Sequence, residues 1–571
     1  MPILEPVFRI AEICSLKGIE DVIVSPGSRS AALALAFNRN PAIRTKVIAD
    51  ERSAAFFGLG KALETSKTVA MVCTSGSAAL NYAPAVSEAY FQEIPLLILT
   101  ADRPPEWIHQ YDGQTIFQKD IYGKHVKKAF ELPVDYRHQD AQWQVERIVN
   151  EAIDLSQSSP KGPVHINVPI REPFYPEDYE EYEFGVNIRH IKKVDTHASL
   201  AHSEWADLMD IWNSSESIMI AVGQNREDID EVLSELSEEP NVVIVADVIA
   251  NVNVPEAIKS HDLFLPKISE SHSTYAPELL LTFGKSFISK SLKQFLRKNK
   301  PKYHWHIQEN PDLIDPMQSI THKIEVDETY FLKELVETLD FAKFKEGDDE
   351  AEESDFKLNW QDAAEASRKY IHRSIFVEDF AEIQATAMIF DALPDNSGLH
   401  LGNSMPVRYA NYLSVLLDKN QKVSCNRGTS GIDGIVSTAL GQASVFAGIY
   451  TCIVGDVSFF YDSNALFIND LPENFRCVII NNAGGNIFRL IDGPSKQAEL
   501  EDFFVTHQKR NAGSLCEEAG VEYFKASNQL ELSEALKVFF EESNSPKLLE
   551  VFTDGKTDAE VFKAFKSDFI L

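Results

Sequence analysis

Two apolar runs that break off into polar turn residues constrain this chain more than any other feature. YTCIV (450–454) ends in Gly455-Asp456, and FRCVII (475–480) ends in Asn481-Asn482-Ala483-Gly484-Gly485. The interval between them holds one helix and the return to a second strand. Two adjacent parallel strands joined in this way deliver Asp456 and Asn482 to one carboxyl edge, where open α/β sheets bind ligands. A carboxylate, an amide oxygen and a backbone carbonyl freed by the glycines suit Mg²⁺. That ion takes few protein oxygens and completes its shell with water and substrate phosphates. Gly-Asp and Asn-Asn also occur in ordinary loops; here the flanking strands and the spacing favour the metal reading.

With 571 residues the chain has room for about three or four domains. A net charge of −33 argues against nucleic acid or an anionic membrane as the main partner, and makes any local group of cations informative. No apolar run approaches the ~20 residues of a membrane span. The first residues, MPILEPVFRIAEIC, lack a signal-peptide core. A soluble, cytoplasmic protein is expected, with no nucleic-acid partner and no integral membrane association. The six cysteines form no CxxC pair and read as reduced, buried thiols. The fifteen histidines show no metal-ligand spacing and read as structural or surface residues.

Strand candidates recur between helical patterns, which predicts an α/β chain of doubly wound, mostly parallel sheets. The first region, 1–185, holds DVIVS (21–25), TKVIA (45–49), VAMVC (69–73), PLLILT (95–100) and PVHINV (163–168). The second, 186–355, holds IMIAVG (218–223), VVIVA (242–246), LLLTFG (279–284) and YHWHI (303–307). The third, 356–571, holds GLHLG (398–402), KVSCN (422–426), IYTCIV (449–454), CVII (477–480) and KLLEVF (547–552). EPFYPEDYEEYEFG (172–185) and the acidic KEGDDEAEESD (345–355) read as linkers. Regions one and three share a strand, a small polar loop and a helix (VSPGSRSAAL; LGNSMPVRYA), a hint of duplicated folds.

Glu51 follows a strand and opens an Ala- and Gly-rich helix, where a carboxylate complements the helix dipole or serves chemistry. Five cations stand near strand ends: Arg29, Arg103, Lys290, Arg408 and Arg427. Arginine forks bind carboxylates bidentately, so the five together suggest an anionic substrate site. The turns SPGSRS (25–30), TSGSAAL (74–80) and RGTSGIDG (427–434) can hold anions on backbone N–H groups. No GxGxxG follows the first strand and no GxxxxGK[ST] occurs, which lowers the Rossmann and P-loop readings.

The stretch from Gly455-Asp456 to Asn481-Asn482 resembles the diphosphate-binding motif of thiamine diphosphate (ThDP) enzymes. SPGSRS, TADRPPE, GNSMPVR, NRGTSGIDG and NNAGGNIF follow the order and spacing of one ThDP family. It is the 2-succinyl-5-enolpyruvyl-6-hydroxy-3-cyclohexene-1-carboxylate synthase (MenD) family of menaquinone biosynthesis, and the resemblance covers essentially the whole chain. It implies a pyrimidine-binding, a central and a diphosphate-binding domain, with the cofactor lying between subunits of a homodimer or homotetramer. It implies ThDP with Mg²⁺ or Mn²⁺, decarboxylation of 2-oxoglutarate, and 1,4-addition of the succinyl carbanion equivalent to isochorismate.

On that resemblance Glu51 activates the cofactor, and Asp456, Asn482 and the Gly484 carbonyl bind the metal. Ile432 is the apolar wedge under the bent cofactor, and Ser404, Ser430, Gly455 and Ile487 are further cofactor contacts. Arg29, Arg103, Gln114, Lys290, Asn403, Arg408, Arg427, Ile487 and Phe488 contact substrate. Arg29, Ser404, Arg408 and Arg427 join Glu51 as catalytic candidates. Gly113 stands where some relatives have Asn, and Ser291 where some have a second basic residue, which bears on isochorismate binding. A different ThDP-dependent decarboxylase or carboligase is the nearest rival, since it needs Glu51, Asp456 and Asn482 but not the cations. A non-catalytic protein of the same fold is the other; the presence of all three residues argues against it.

Overall fold

A computed structural model of the protein describes residues 5–571, apart from 137, 176–181, 183, 185–187, 269–272, 347–351, 376–379 and 418–419. Three sheets, parallel at every pairing among the described residues, run along the chain. The first contains β1 (Asp21–Val24), β2 (Arg44–Val47), β3 (Val69–Cys73), β4 (Leu96–Asp102), β5 (Ala129–Glu131) and β6 (Pro163–Pro169). The second contains β7 (Ile218–Val222), β8 (Val242–Ala246), β9 (Leu279–Phe283), β10 (Tyr303–Ile307) and β11 (His322–Ile324). The third contains β12 (Gly398–Leu401), β13 (Lys422–Ser424), β14 (Tyr450–Gly455), β15 (Phe475–Asn481), β16 (Glu522–Ala526) and β17 (Lys547–Phe552).

The strand orders are β2-β1-β3-β4-β6-β5, β11-β10-β9-β7-β8 and β13-β12-β14-β15-β17-β16. The central strands are fully buried apolar runs, as sheets covered by helices on both faces require. The sequence reading finds every strand except β5, β11 and β16. Each of these lies at a sheet edge, and β5 and β16 are half-exposed, so no apolar run marks them. All six cysteines are free and buried.

Most of the 172–185 linker lies outside the described residues. The 345–355 linker is shorter than its composition suggests. One helix runs from Glu328 through Glu346, and Asp355 already opens the next, capped by Ser354. That second helix, Asp355–Ser374, spans two sheets. Trp360 packs on Phe264, Tyr275 and Phe295 of the middle region, while Tyr370 meets Phe565 and Phe569 of the last.

The first and third regions meet where helix Glu51–Thr65 crosses helix Ile435–Ala443. Glycine permits this crossing. A Cβ on Gly60 would stand 2.0 Å from the Thr438 carbonyl oxygen, and one on Gly441 would stand 2.1 Å from that of Phe57. Among the described residues no helix is long and apolar enough to cross a membrane.

Candidate functional site

β14 and β15 are neighbours in parallel register, with Gly455 opposite Ile480. Asp456 therefore opens a short helix, Asp456–Tyr461, beside the turn that leaves β15 at Asn481. Asp456 is buried, and burial pushes its carboxyl up to about 6, against a hydrogen bond from Gln508 Nε2 at 2.6 Å. Asn482 donates its amide N–H to Glu382, while its Oδ1 accepts the Gly484 N–H at 3.0 Å. Ala483 turns through φ +63°, and the Gly484 carbonyl accepts from Asn486 N–H at 3.1 Å.

Among the described residues no group of three or more His, Cys, Asp or Glu side chains forms a metal site. The donors here are instead one buried carboxylate, one amide oxygen and one carbonyl at a sheet edge. That mixed set fits a hard cation that brings its own water and phosphate ligands.

The cations fall into two groups. In the first region, Arg29 donates to the Ile170 carbonyl at 2.9 Å and lies over the Phe174 ring at 4.2 Å. Burial and then neighbouring Arg103 lower its pKa. Arg103 pairs with Asp112 at 2.9 Å and donates to the Gly113 carbonyl at 3.1 Å. That holds the loop bearing the exposed Gln114, whose φ is +57°.

In the third region, burial and the adjacent Arg427 lower the pKa of Arg408. Arg427 donates to Asn403 Oδ1 at 3.0 Å and keeps its buried Nε without a partner. From the second region, Lys290 is the exposed first residue of helix Lys290–Lys298. One turn on, Lys293 is half-buried and close enough to Arg427 for repulsion to lower its pKa, after burial itself. The structure thus brings Lys293 to the Arg427 group. The sequence showed only a basic helix there, with nothing to favour one lysine over another.

The turn after β13 is held from two sides. Asn403 donates to the carbonyls of Asn426 and Gly431 at 2.7 and 2.8 Å, so its side chain works as a clamp across strand ends. From the first region, Glu88 accepts the N–H groups of Gly428 and Thr429 at 2.7 and 2.6 Å. Ser430, at φ +57°, and Ile432 stay exposed on this turn. Ser404, at φ +75°, precedes the helix that carries Arg408. Ile487 and Phe488 are half-buried in the short helix after Gly485, Phe488 with its ring 5.8 Å from that of Phe504.

At the first sheet's carboxyl edge, Glu51 is half-buried and its charge is felt by the Cys73 thiol at the end of β3. Its neighbours Asp50 and Arg52 bond Asn464 Nδ2 and the Tyr461 carbonyl of the third region at 2.6 and 2.7 Å. Thr74 and Ser75 leave buried hydroxyls without protein partners along the same edge. Glu88, Gln508 and Glu382 were not legible as site residues. Each acts through a contact between distant segments, and no local motif announces it.

Comparison with known proteins agrees with this geometry. A family model described as "Thiamine pyrophosphate enzyme, N-terminal TPP binding domain" matches residues 8–124, and "Middle domain of thiamine pyrophosphate" matches residues 189–401. The 2-succinyl-5-enolpyruvyl-6-hydroxy-3-cyclohexene-1-carboxylate synthase of Cytophaga hutchinsonii is 40% identical over 99% of this chain and 98% of its own. The chain belongs to this synthase family. Proteins of the same name from Flavobacterium johnsoniae and Bacteroides thetaiotaomicron are 36% and 34% identical, over 97% and 98% of both chains. Membership makes the chain a ThDP-dependent enzyme of the transferase class, and the expected fold and family are borne out.

Proposed function

We propose that this chain joins the four-carbon unit left when 2-oxoglutarate loses CO₂ to isochorismate, in the cytoplasm, as a step toward menaquinone. The observation that carries this is the set of cations at the sheet edges of a ThDP fold, Arg427 with an unpartnered buried Nε among them. Both substrates are dianions, and a fork of N–H donors on each side of the site matches two carboxylates apiece. When bound, ThDP supplies the electron sink that lets a 2-oxo acid lose CO₂.

Asp456, Asn482 and the Gly484 carbonyl would hold Mg²⁺ or Mn²⁺ against the diphosphate. Gly455, Ser404, Ser430, Ile432 and Ile487 would line the cofactor's place, and Glu51 would supply the carboxylate that activates it. Arg427, held by Asn403, and Arg408, which donates to the Ser404 carbonyl, orient 2-oxoglutarate with Lys293 beside them. Arg29, Arg103, Gln114 and Lys290, with Phe488 on the apolar side, orient isochorismate and exclude water. The chain divides into a pyrimidine-binding domain (1–185), a central domain (186–355) and a diphosphate-binding domain (356–571).

A homodimer or a tetramer is the active unit. Trp107, Tyr111 and Phe117, exposed around Arg103 and Gln114, form an apolar rim that a second subunit would cover. Incubation with 2-oxoglutarate, isochorismate, ThDP and Mg²⁺, read by mass spectrometry, is the test. CO₂ release with no adduct to isochorismate would favour a different ThDP carboligase.

A further inference from the structure

We infer that Glu382 is a positioning residue that decides which atom of the Asn482 amide faces the metal; this rests on Asn482 being a metal ligand. Glu382 opens helix Glu382–Ala392 and is 2% exposed. One of its oxygens accepts from Asn482 Nδ2 and the other from the Tyr409 hydroxyl, the latter at 2.8 Å. Its own place is fixed by a backbone N–H donated to Asp558 Oδ1 at 2.9 Å, and Thr553 holds the second oxygen of Asp558 at 2.7 Å.

An amide is nearly symmetric in shape but not in chemistry. Its oxygen can ligate a cation, and its NH₂ cannot. With both of its oxygens accepting, Glu382 takes the NH₂ side of Asn482. The amide oxygen is thereby turned away from Glu382, toward the Gly484 turn, where it takes one N–H and keeps a second lone pair. Without that grip, the Gly484 N–H alone would choose the face that the amide turns to the ion. Tyr409 follows Arg408 on its helix, so the same carboxylate also ties the metal amide to the helix bearing a substrate cation.

Outer partners of metal ligands typically contribute 10–100-fold in metal affinity. The test measures Mg²⁺ affinity at saturating ThDP by tryptophan fluorescence and calorimetry, with apoprotein melting recorded separately. Glu382→Gln presents an NH₂ of its own to Asn482 and is expected to weaken Mg²⁺ about 10–100-fold. Tyr409→Phe, which leaves the grip on Asn482 intact, should stay within about twofold of wild type. Glu382→Gln added to Asn482→Ala should cost nothing further. If Asn482→Ala binds Mg²⁺ normally, the metal assignment fails and this inference with it. If Asn482→Ala weakens binding but Glu382→Gln does not, or if their effects multiply, the inference alone is overturned. Should Glu382→Gln fail to fold alone, the reversed pair Asn482→Asp with Glu382→Gln decides. It is expected to bind Mg²⁺ more tightly than Asn482→Asp alone, and equal affinities would overturn the positioning role.

Discussion

Glu51 stands at the first turn of its helix, where a carboxylate has a structural use and a chemical one. Replacing it with Gln separates them, because Gln keeps the shape and loses the charge. Asp50, not Glu51, caps this helix end by accepting the Ser53 N–H, so the fold should survive. Turnover should fall about 10²–10⁴-fold, the usual contribution of a positioned acid–base group. Exchange of the C2 proton of bound ThDP reads this directly. Wild-type exchange in Glu51→Gln would reduce Glu51 to a helix-end charge.

The elements of this chain were largely legible because buried parallel strands are written as unbroken apolar runs. VAMVC, VVIVA and IYTCIV need no context. β16, written EYFKA, does: it lies at an edge, and its pattern reports a half-solvated surface. Site residues divide in the same way. Asp456 and Asn482 follow from strand ends, whereas Glu88 and Glu382 lie 340 and 100 residues from the groups they hold. The crossing of the Glu51 helix with helix Ile435–Ala443 was also invisible, since glycine in a helix usually signals only weakness. Here it is an approach distance. Gly441→Ala should cost at least about 1–3 kcal/mol through overpacking, and should loosen ThDP binding because the helix follows the Ser430–Ile432 turn. Thermal melts with and without cofactor test both parts. An unchanged melting temperature would mean that the two backbones separate at no cost.

For the whole molecule, the two groups of cations imply a division of labour. Arg427→Ala should raise the 2-oxoglutarate KM or slow CO₂ release. Arg103→Ala should spare CO₂ release to an artificial acceptor and raise the isochorismate KM. Losing one charge-assisted contact costs about 1.5–3 kcal/mol, or roughly 10–150-fold. Equal damage to both substrates in both variants would refute the division.

Acid stability is a second property of the whole chain. Burial pushes His165 down to about 3 and His304 and His400 down to about 4. These folded values lie below the unfolded value, so the contribution is full above about 6.5 and is lost as pH falls. By pH 5 each costs about 2 kcal/mol. Asp462, raised to about 7 by burial, runs the other way and loses stability as pH rises. The contribution of one histidine is therefore isolated by difference. His400→Asn, which can still offer an N–H to Gln442 Oε1 as Nδ1 does, should lose about 2 kcal/mol less than wild type between pH 7 and pH 5. Denaturant titrations at the two pH values measure it, and an equal loss of stability in both proteins would show that His400 takes up a proton as readily folded as unfolded.

The first and third sheets share one strand order, position for position. A chain that carries one blueprint twice has two ligand edges, and only the later copy carries the Asp456, Asn482 and Gly484 donor set proposed for an ion. The earlier copy is released from that duty. Its turns can change without disturbing the diphosphate end, so a search for variants that accept new partners for the four-carbon unit should randomise SPGSRS and TADRPPE and leave NNAGG alone.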